Sequence, residues 1–304
     1  MKRVKQQSED SGRKSVNPTF EAKNSETMPP TAADPRDMRL RLHRIDIADG
    51  RAAFAGDAAN GLSASPKQLF PKYFYDELGS ELFDAICLVP EYYLTRAENE
   101  ILARHAGEII QAAAPDEAPL SLLELGSGSA TKTRRIIEAL FTRQKNLLYL
   151  PVDISASALE ASAQALLQTY PALRIEAYAS DYDTALALLG RERETRAERL
   201  LTLFLGSNIG NFDRDDAARF LLSLRGVLRA GDALLLGADL KKARATLEAA
   251  YDDALGVTAA FNLNQLVRLN REFDANFDPR AFRHVALYNE AAGRFSSNLF
   301  VARR

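Results

Sequence analysis

The stretch Leu120-Ser121-Leu122-Leu123-Glu124-Leu125-Gly126-Ser127-Gly128-Ser129 decides the fold, because an apolar run feeds directly into two glycines one residue apart. A run that is nearly continuous in leucine fits a strand buried on both faces. The glycines behind it allow a tight turn and a close approach of backbone to a ligand at the N-terminus of the next helix. Working outward, the pattern repeats. Apolar strand-like runs are expected at Leu147 to Val152, Leu173 to Ala179, Leu200 to Leu205 and Ala233 to Gly237. Helical spacing of apolar residues falls between them, at Lys132 to Phe141, Ala156 to Tyr170, Asp183 to Gly190 and Asp215 to Leu228. Asp213 is placed to cap the last of these helices. Strands alternating with helices give the α/β class, here a doubly wound, mostly parallel sheet.

Two regions lie outside that unit. Residues 39–115 read as helical and are crowded with Phe70, Tyr73, Phe74, Tyr75, Phe83, Tyr92 and Tyr93. Residues 241–304 read as mostly helical again, and include Tyr251, Phe261, Asn262, Asn264 and Asn270. The organisation expected is therefore a core at 116–240 and a mainly helical substrate-binding domain made of 39–115 plus 241–304. Its two pieces would pack together over the carboxyl ends of the strands, where ligands of open α/β sheets bind. Residues 1–38 mix charged residues, serine and proline without apolar periodicity and are expected to be a disordered tail.

Composition narrows the function. With 46% hydrophobic residues in 304, the chain can bury a sizeable core. Lysine plus arginine, 39, nearly balance aspartate plus glutamate, 41, so no overall field favours nucleic acid or an anionic membrane. No apolar run approaches the roughly 20 residues of a membrane span. Cys87 is the sole cysteine, which fits a reducing, cytoplasmic setting. His43, His105 and His284 are the only histidines and form no metal-ligand pattern with it. A small-molecule substrate is the partner these numbers leave.

The residues behind each strand carry the chemistry. Gly126-Ser127-Gly128 is only a G-x-G, and Thr131 stands where a dinucleotide fingerprint has its third glycine or alanine, which weakens a nicotinamide reading without removing it. Asp153 ends the second strand, placed to accept hydrogen bonds from ribose hydroxyls. Asp181-Tyr182 comes after the third, an acid beside an aromatic ring that suits an adenine amine and its face. Either aspartate alone is more often a cap or turn former. Together with the glycine turn they make S-adenosylmethionine the leading ligand. The fourth strand runs into Gly206-Ser207-Asn208-Ile209-Gly210-Asn211-Phe212, a loop that would cross the pocket mouth where a methyl acceptor must lie.

These residues resemble the histidine-specific Nα-methyltransferase family, which opens ergothioneine synthesis. The resemblance rests on Lys72-Tyr73-Phe74-Tyr75-Asp76, Pro90-Glu91-Tyr92-Tyr93-Leu94-Thr95-Arg96, Glu124 to Thr133, Gly206 to Phe212, and Tyr251-Asp252-Asp253 through Phe261-Asn262-Leu263-Asn264. It spans about Pro66 to Phe277. It implies a class I S-adenosylmethionine methyltransferase acting on the α-amino nitrogen of L-histidine. Gly126, Lys132, Asp153, Asp181 and Tyr182 match positions that hold S-adenosylmethionine. Asn211 and Tyr251 match those that grip the substrate carboxylate, and Tyr75, Tyr92 and the Gly206 backbone match positions near the amine and imidazole. No nucleophilic residue is implied, and no metal.

The sequence departs from the family in one strand and at its end. Phe295-Ser296-Ser297-Asn298-Leu299 stands where the family has a glutamate-methionine pair, and the family continues beyond the position of Arg304. Those differences lead to the expectation of an unpaired sheet edge that favours self-association or a completing chain, with retained affinity for S-adenosylmethionine and poor methylation of histidine. Other acceptors, such as a different amino acid or small amine, stay open at this point, as does a cofactor-binding fragment of low activity.

Overall fold

The computed structural model describes residues 39–45, 50–193, 198–290 and 293–301. The tail expected at 1–38 lies outside the described residues. A six-stranded parallel sheet is built from β1 (Leu40–Arg44), β2 (Leu120–Leu125), β3 (Leu147–Asp153), β4 (Leu173–Ala179), β5 (Arg199–Phe204) and β6 (Ala233–Leu236). Its order is β1-β4-β3-β2-β5-β6. The direction of winding reverses between β2 and β5, which opens a crevice at their carboxyl ends.

Alternation along each strand explains why the sheet is covered on both faces. On one face, Leu122, Tyr149, Ile175 and Leu203 pack with Leu102, Ala106 and Ile110 of α3 (Tyr93–Ala113), and with α4 (Arg134–Phe141) and α5 (Ala156–Thr169). On the other, Leu123, Leu150, Tyr178 and Phe204 pack with Ala185, Leu186 and Leu189 of α6 (Tyr182–Arg193) and Phe220, Leu224 and Val227 of α7 (Arg214–Val227). The Asp213 carboxylate accepts the Asp216 N–H at 2.8 Å, the cap that the sequence pattern predicts. The buried pair Arg193–Asp232, 2.7 Å apart, ties α6 to the turn before β6, and Asp232 also accepts the backbone N–H groups of Leu200 and Arg229 at 2.8 Å.

The expected boundaries of the core need two corrections. Leu40–Arg44, assigned to the flanking region, is a sheet strand whose residues pair in register with Ile175 to Ala179. As a five-residue edge strand that alternates leucine with arginine and histidine, it lacks the continuous apolar run of the central strands. Helix α3, also assigned to the flank, buries Leu102 and Ile110 in the core beneath the sheet. The remaining flanking elements do meet one another. Ile86 of α2 (Glu77–Ile86), Val89, Tyr92 and Leu94 pack with Ala250 of α8 (Arg244–Tyr251) and Phe261 of α9 (Val257–Phe273). Phe54 and Ala58 of α1 (Gly50–Ser63) pack with Tyr73 and Leu269.

The segment after Leu240 is less helical than its composition suggests. Beyond α9 it forms an antiparallel hairpin of β7 (Phe282–Asn289) and β8 (Arg294–Val301), a two-stranded sheet of its own. The period-two pattern of β7, with His284 and Ala286 buried, accounts for the difference. β6 forms one edge of the main sheet, and Leu234 and Leu236 are 36% and 41% exposed there. Among the described residues, no helix is long and apolar enough to cross a membrane.

Candidate active site

The strand-end residues Gly126, Gly128, Asp153, Asp181, Tyr182 and Gly206 all lie at the carboxyl edge of the sheet. Gly126 leaves β2 with φ +75°, and its N–H and that of Ser127 donate to the Val152 carbonyl at 2.8 and 3.2 Å. A Cβ on Gly126 would stand 2.6 Å from the Tyr182 hydroxyl and 2.9 Å from Asn208 Nδ2, so both its backbone conformation and its surroundings require glycine. Gly128, at φ +49°, has nothing within 4 Å on that side, and its N–H donates to Asp153 Oδ2 at 2.9 Å. Oδ1 of Asp153 accepts the Ser155 N–H at 2.9 Å. Burial pushes the Asp153 carboxyl above its ordinary range against those N–H groups. A carboxylate offers about four acceptor sites, more than its backbone partners use, which leaves capacity for a ligand hydroxyl.

Asp181 uses Oδ1 to accept the Thr184 N–H at 2.8 Å, capping the first turn of α6. Beside it, the Tyr182 ring stands perpendicular to Phe204 with centroids 5.7 Å apart, and its hydroxyl end lies beside the glycine turn. Burial, and after it the nearby Asp153 charge, raises its phenol above the usual tyrosine range.

Lys132 sits in the turn ahead of α4 rather than on a solvent-facing helix, and its ammonium pairs with Glu98 of α3. The other Glu98 oxygen accepts the Gly206 N–H at 2.8 Å, at the residue where the loop after β5 begins. Beneath these groups Glu124 is buried, accepting hydrogen bonds from Thr133 Oγ1 at 2.7 and 2.8 Å and from the Tyr149 hydroxyl. Burial pushes its carboxyl up to about 7, against the lowering effect of Tyr149, Thr133 and the Lys132 charge.

The two flanks of the core contribute an aromatic cluster. Tyr92 meets Tyr251 edge to face with centroids 6.0 Å apart, and Tyr75 meets Phe83 and Phe261 at 5.6 Å each. Burial raises the phenols of Tyr75 and Tyr92, with the Asp153 charge adding to Tyr75. That contribution places Tyr75 and the strand-end acid within electrostatic reach of one another. Burial and then Asp239 push Tyr251 up to about 12. From below, His284 Nε2 lies 2.8 Å from the Tyr251 carbonyl, so the hairpin supports that residue. Asn211 ends the short 3-10 turn Asn208–Asn211 and is exposed, while Asn208 of the same turn is the amide that faces Gly126.

Glu98 carries no signal that marks it in the sequence, while Glu124 and Asn208 lie within the marked stretches without a role of their own. Glu98 occupies an ordinary helical position six residues after Tyr92, and only the fold brings it to Lys132 and Gly206. Asn208 lies in the glycine-rich loop after β5, but the family match there falls on Asn211. A groove of about 410 Å³ between α1 and α9, lined by Arg51, Phe54, Arg268 and Arg271 among others, is separate from these residues. Its Arg268 and Arg271 are already committed to Glu272 and Asp76 at 2.7 Å.

The donor set fits S-adenosylmethionine. The glycine turn offers an open side at Gly128, Asp153 keeps acceptor capacity for hydroxyls, Tyr182 brings an aromatic ring beside the turn, and Lys132 supplies a cation for a carboxylate. Comparison with known proteins agrees. The family described as histidine-specific methyltransferase, SAM-dependent, matches residues 54–304. The histidine N-alpha-methyltransferase of Mycobacterium tuberculosis (strain CDC 1551 / Oshkosh) is 46% identical over 245 residues, 81% of this chain and 74% of that protein. That of Mycolicibacterium smegmatis is 44% identical over 253 residues, covering 83% and 76%. Ergothioneine biosynthesis protein 1 of Schizosaccharomyces pombe is 32% identical over 229 residues, 74% of this chain and 30% of that longer protein. With the strand-end turn, the acids and the loop after β5 all in place, the chain belongs to the histidine-specific, S-adenosylmethionine-dependent methyltransferases.

Proposed function

We propose that this methyltransferase transfers methyl groups to the α-amino nitrogen of L-histidine, toward trimethylhistidine, in the cytoplasm. The observation that carries the reading is the cluster of Tyr75, Tyr92 and Tyr251 drawn from both flanks of the core, with Tyr75 within electrostatic reach of Asp153 at the end of β3. On this reading Gly126, Lys132, Asp153, Asp181 and Tyr182 hold S-adenosylmethionine, which when bound supplies a methyl group on a sulfonium. Residues 50–92 and 241–301 supply most of the acceptor side, with Gly206 and Asn211 added from the loop after β5.

The protein's part is positioning. Holding an amine in line with a methyl group converts a bimolecular encounter into a nearly unimolecular step. Tyr75, Tyr92 and Tyr251 are all raised from the ordinary tyrosine value, so at neutral pH they are neutral hydrogen-bonding groups and not bases. The amine must lose its proton before transfer, and these phenols do not take it. Once methylated it is a cation, and the rings attract it through their faces by about 0.5–2 kcal/mol. Tyr251 and Asn211 are assigned to the acceptor carboxylate.

The test is methyl transfer to L-histidine, to histamine and to a panel of other amino acids and small amines. L-Histidine is expected to be the preferred acceptor and histamine, which lacks the carboxylate, a poor one. Asn211→Ala and Tyr251→Phe are each expected to raise KM for histidine at least about tenfold, the value of one lost hydrogen bond to a charged group, and to leave binding of S-adenosylhomocysteine unchanged. Equal rates with histamine and histidine would remove the carboxylate contact from the proposal.

A further inference from the structure

Glu98 is a carboxylate that touches both halves of the proposed site. Its side chain is 15% exposed and that of Lys132 24%, so their ion pair is largely shielded from water. One Glu98 oxygen holds Lys132 and the other holds the Gly206 N–H, on opposite sides of the point where the sheet order reverses. Space for it depends on Gly237. A Cβ there would collide with Glu98 Oε1 and stand 3.2 Å from the Leu205 Cα.

We infer that Glu98 is a positioning residue that couples methyl-donor binding, through Lys132, to acceptor binding, through the Gly206 loop. The donor side stands on its own, whereas the acceptor side rests on the function proposed above. A lysine ammonium is a point charge on a flexible stem, and one buried partner fixes where it points. A donor carboxylate arriving at Lys132 draws on the same ammonium that Glu98 holds. Any resulting shift of Glu98 is passed to the Gly206 N–H, because both bonds belong to one rigid carboxylate. Thermodynamic linkage requires the effect to be reciprocal.

Calorimetry on the whole chain tests this, with S-adenosylhomocysteine and L-histidine titrated separately and together into wild type, Glu98→Gln and Glu98→Ala. In wild type, saturating histidine is expected to tighten S-adenosylhomocysteine by at least about fivefold, and the reverse by the same factor. Glu98→Ala is expected to weaken S-adenosylhomocysteine alone by about tenfold, the value of one charged hydrogen bond, and to bring the coupling factor to about one. Glu98→Gln keeps an amide oxygen for the Gly206 N–H but loses the negative charge that holds Lys132. It should therefore weaken S-adenosylhomocysteine similarly while holding histidine affinity within about twofold. A merely structural role would weaken both ligands together. Should Glu98→Ala not fold, Glu98→Gln and Gly237→Ala, which drives a methyl group into the carboxylate, carry the donor side. Unchanged affinity for S-adenosylhomocysteine in the folded variants overturns the role of Glu98. A wild type that binds S-adenosylhomocysteine but not histidine overturns the coupling along with the proposed acceptor, and the donor measurement tells the two failures apart.

Discussion

At the scale of single residues, the acids behave differently because their partners differ. Asp153 is bound through both oxygens to backbone N–H groups, so Asp153→Ala removes acceptors from the glycine turn as well as from any ligand. Each charge-assisted bond is worth about 1.5–3 kcal/mol, which predicts at least tenfold weaker binding of S-adenosylhomocysteine without any acceptor present. Calorimetry on variant protein shown to be folded decides this, and wild-type affinity would remove Asp153 from the donor site. Glu124 gives a pH signature instead. Unfolded, it releases its proton near the ordinary 4.5, whereas folded it does so only near 7. Between those values the folded state keeps a proton that the unfolded state has lost, so stability falls as pH rises and levels off above about 7. At about 1.4 kcal/mol per unit, the loss is on the order of 3 kcal/mol. Melting curves of wild type and Glu124→Gln across pH 4.5 to 8 should diverge by that amount in favour of the variant at the alkaline end. Parallel curves would mean that Glu124 stays ionised when folded.

Elements were legible where burial imposes a simple pattern. β2 and β4 fall where their apolar runs stand: β2 is buried at every position, and β4 keeps leucine, isoleucine and alanine at buried positions although Arg174 and Glu176 interrupt it. The cap at Asp213 could be read because its partner is local, three residues along the same chain. β1 could not, since its pairing with β4 joins residues more than a hundred apart and its exposed positions carry arginine. Long-range ties of this kind are also the costly ones to break. Asp232→Ala would leave the buried Arg193 guanidinium without its carboxylate and strip an acceptor from Leu200. We expect a loss of about 3–5 kcal/mol, against about 1 kcal/mol for Asp213→Ala at the exposed cap. Urea denaturation of the two variants checks the ranking, and equal losses would show that the buried pair adds nothing to α6 and β5.

Over the whole molecule, the sheet ends differ in chemistry. β1 carries exposed arginines at Arg41 and Arg44, which discourage pairing with another edge, whereas β6 exposes Leu234 and Leu236. Light scattering at rising concentration should therefore show association that Leu234→Lys or Leu236→Lys reduces. No change in either variant would place any association elsewhere. The candidate site was legible only in part for a related reason. The residues assigned to the donor come after consecutive strands between Gly126 and Tyr182, so chain order singles them out as candidates. Tyr75, Tyr92 and Tyr251 come from two distant stretches that meet through Ile86, Val89, Ala250 and Phe261, and no spacing rule connects them without the family resemblance. That meeting of distant stretches has a consequence for descent and for engineering. On the proposed assignment, the part that handles the donor is inherited as one contiguous cassette, while most of the part that chooses the acceptor is assembled from separate flanks. Drift or directed libraries confined to those flanks can then explore new amines, generation after generation, with the methyl supply left intact.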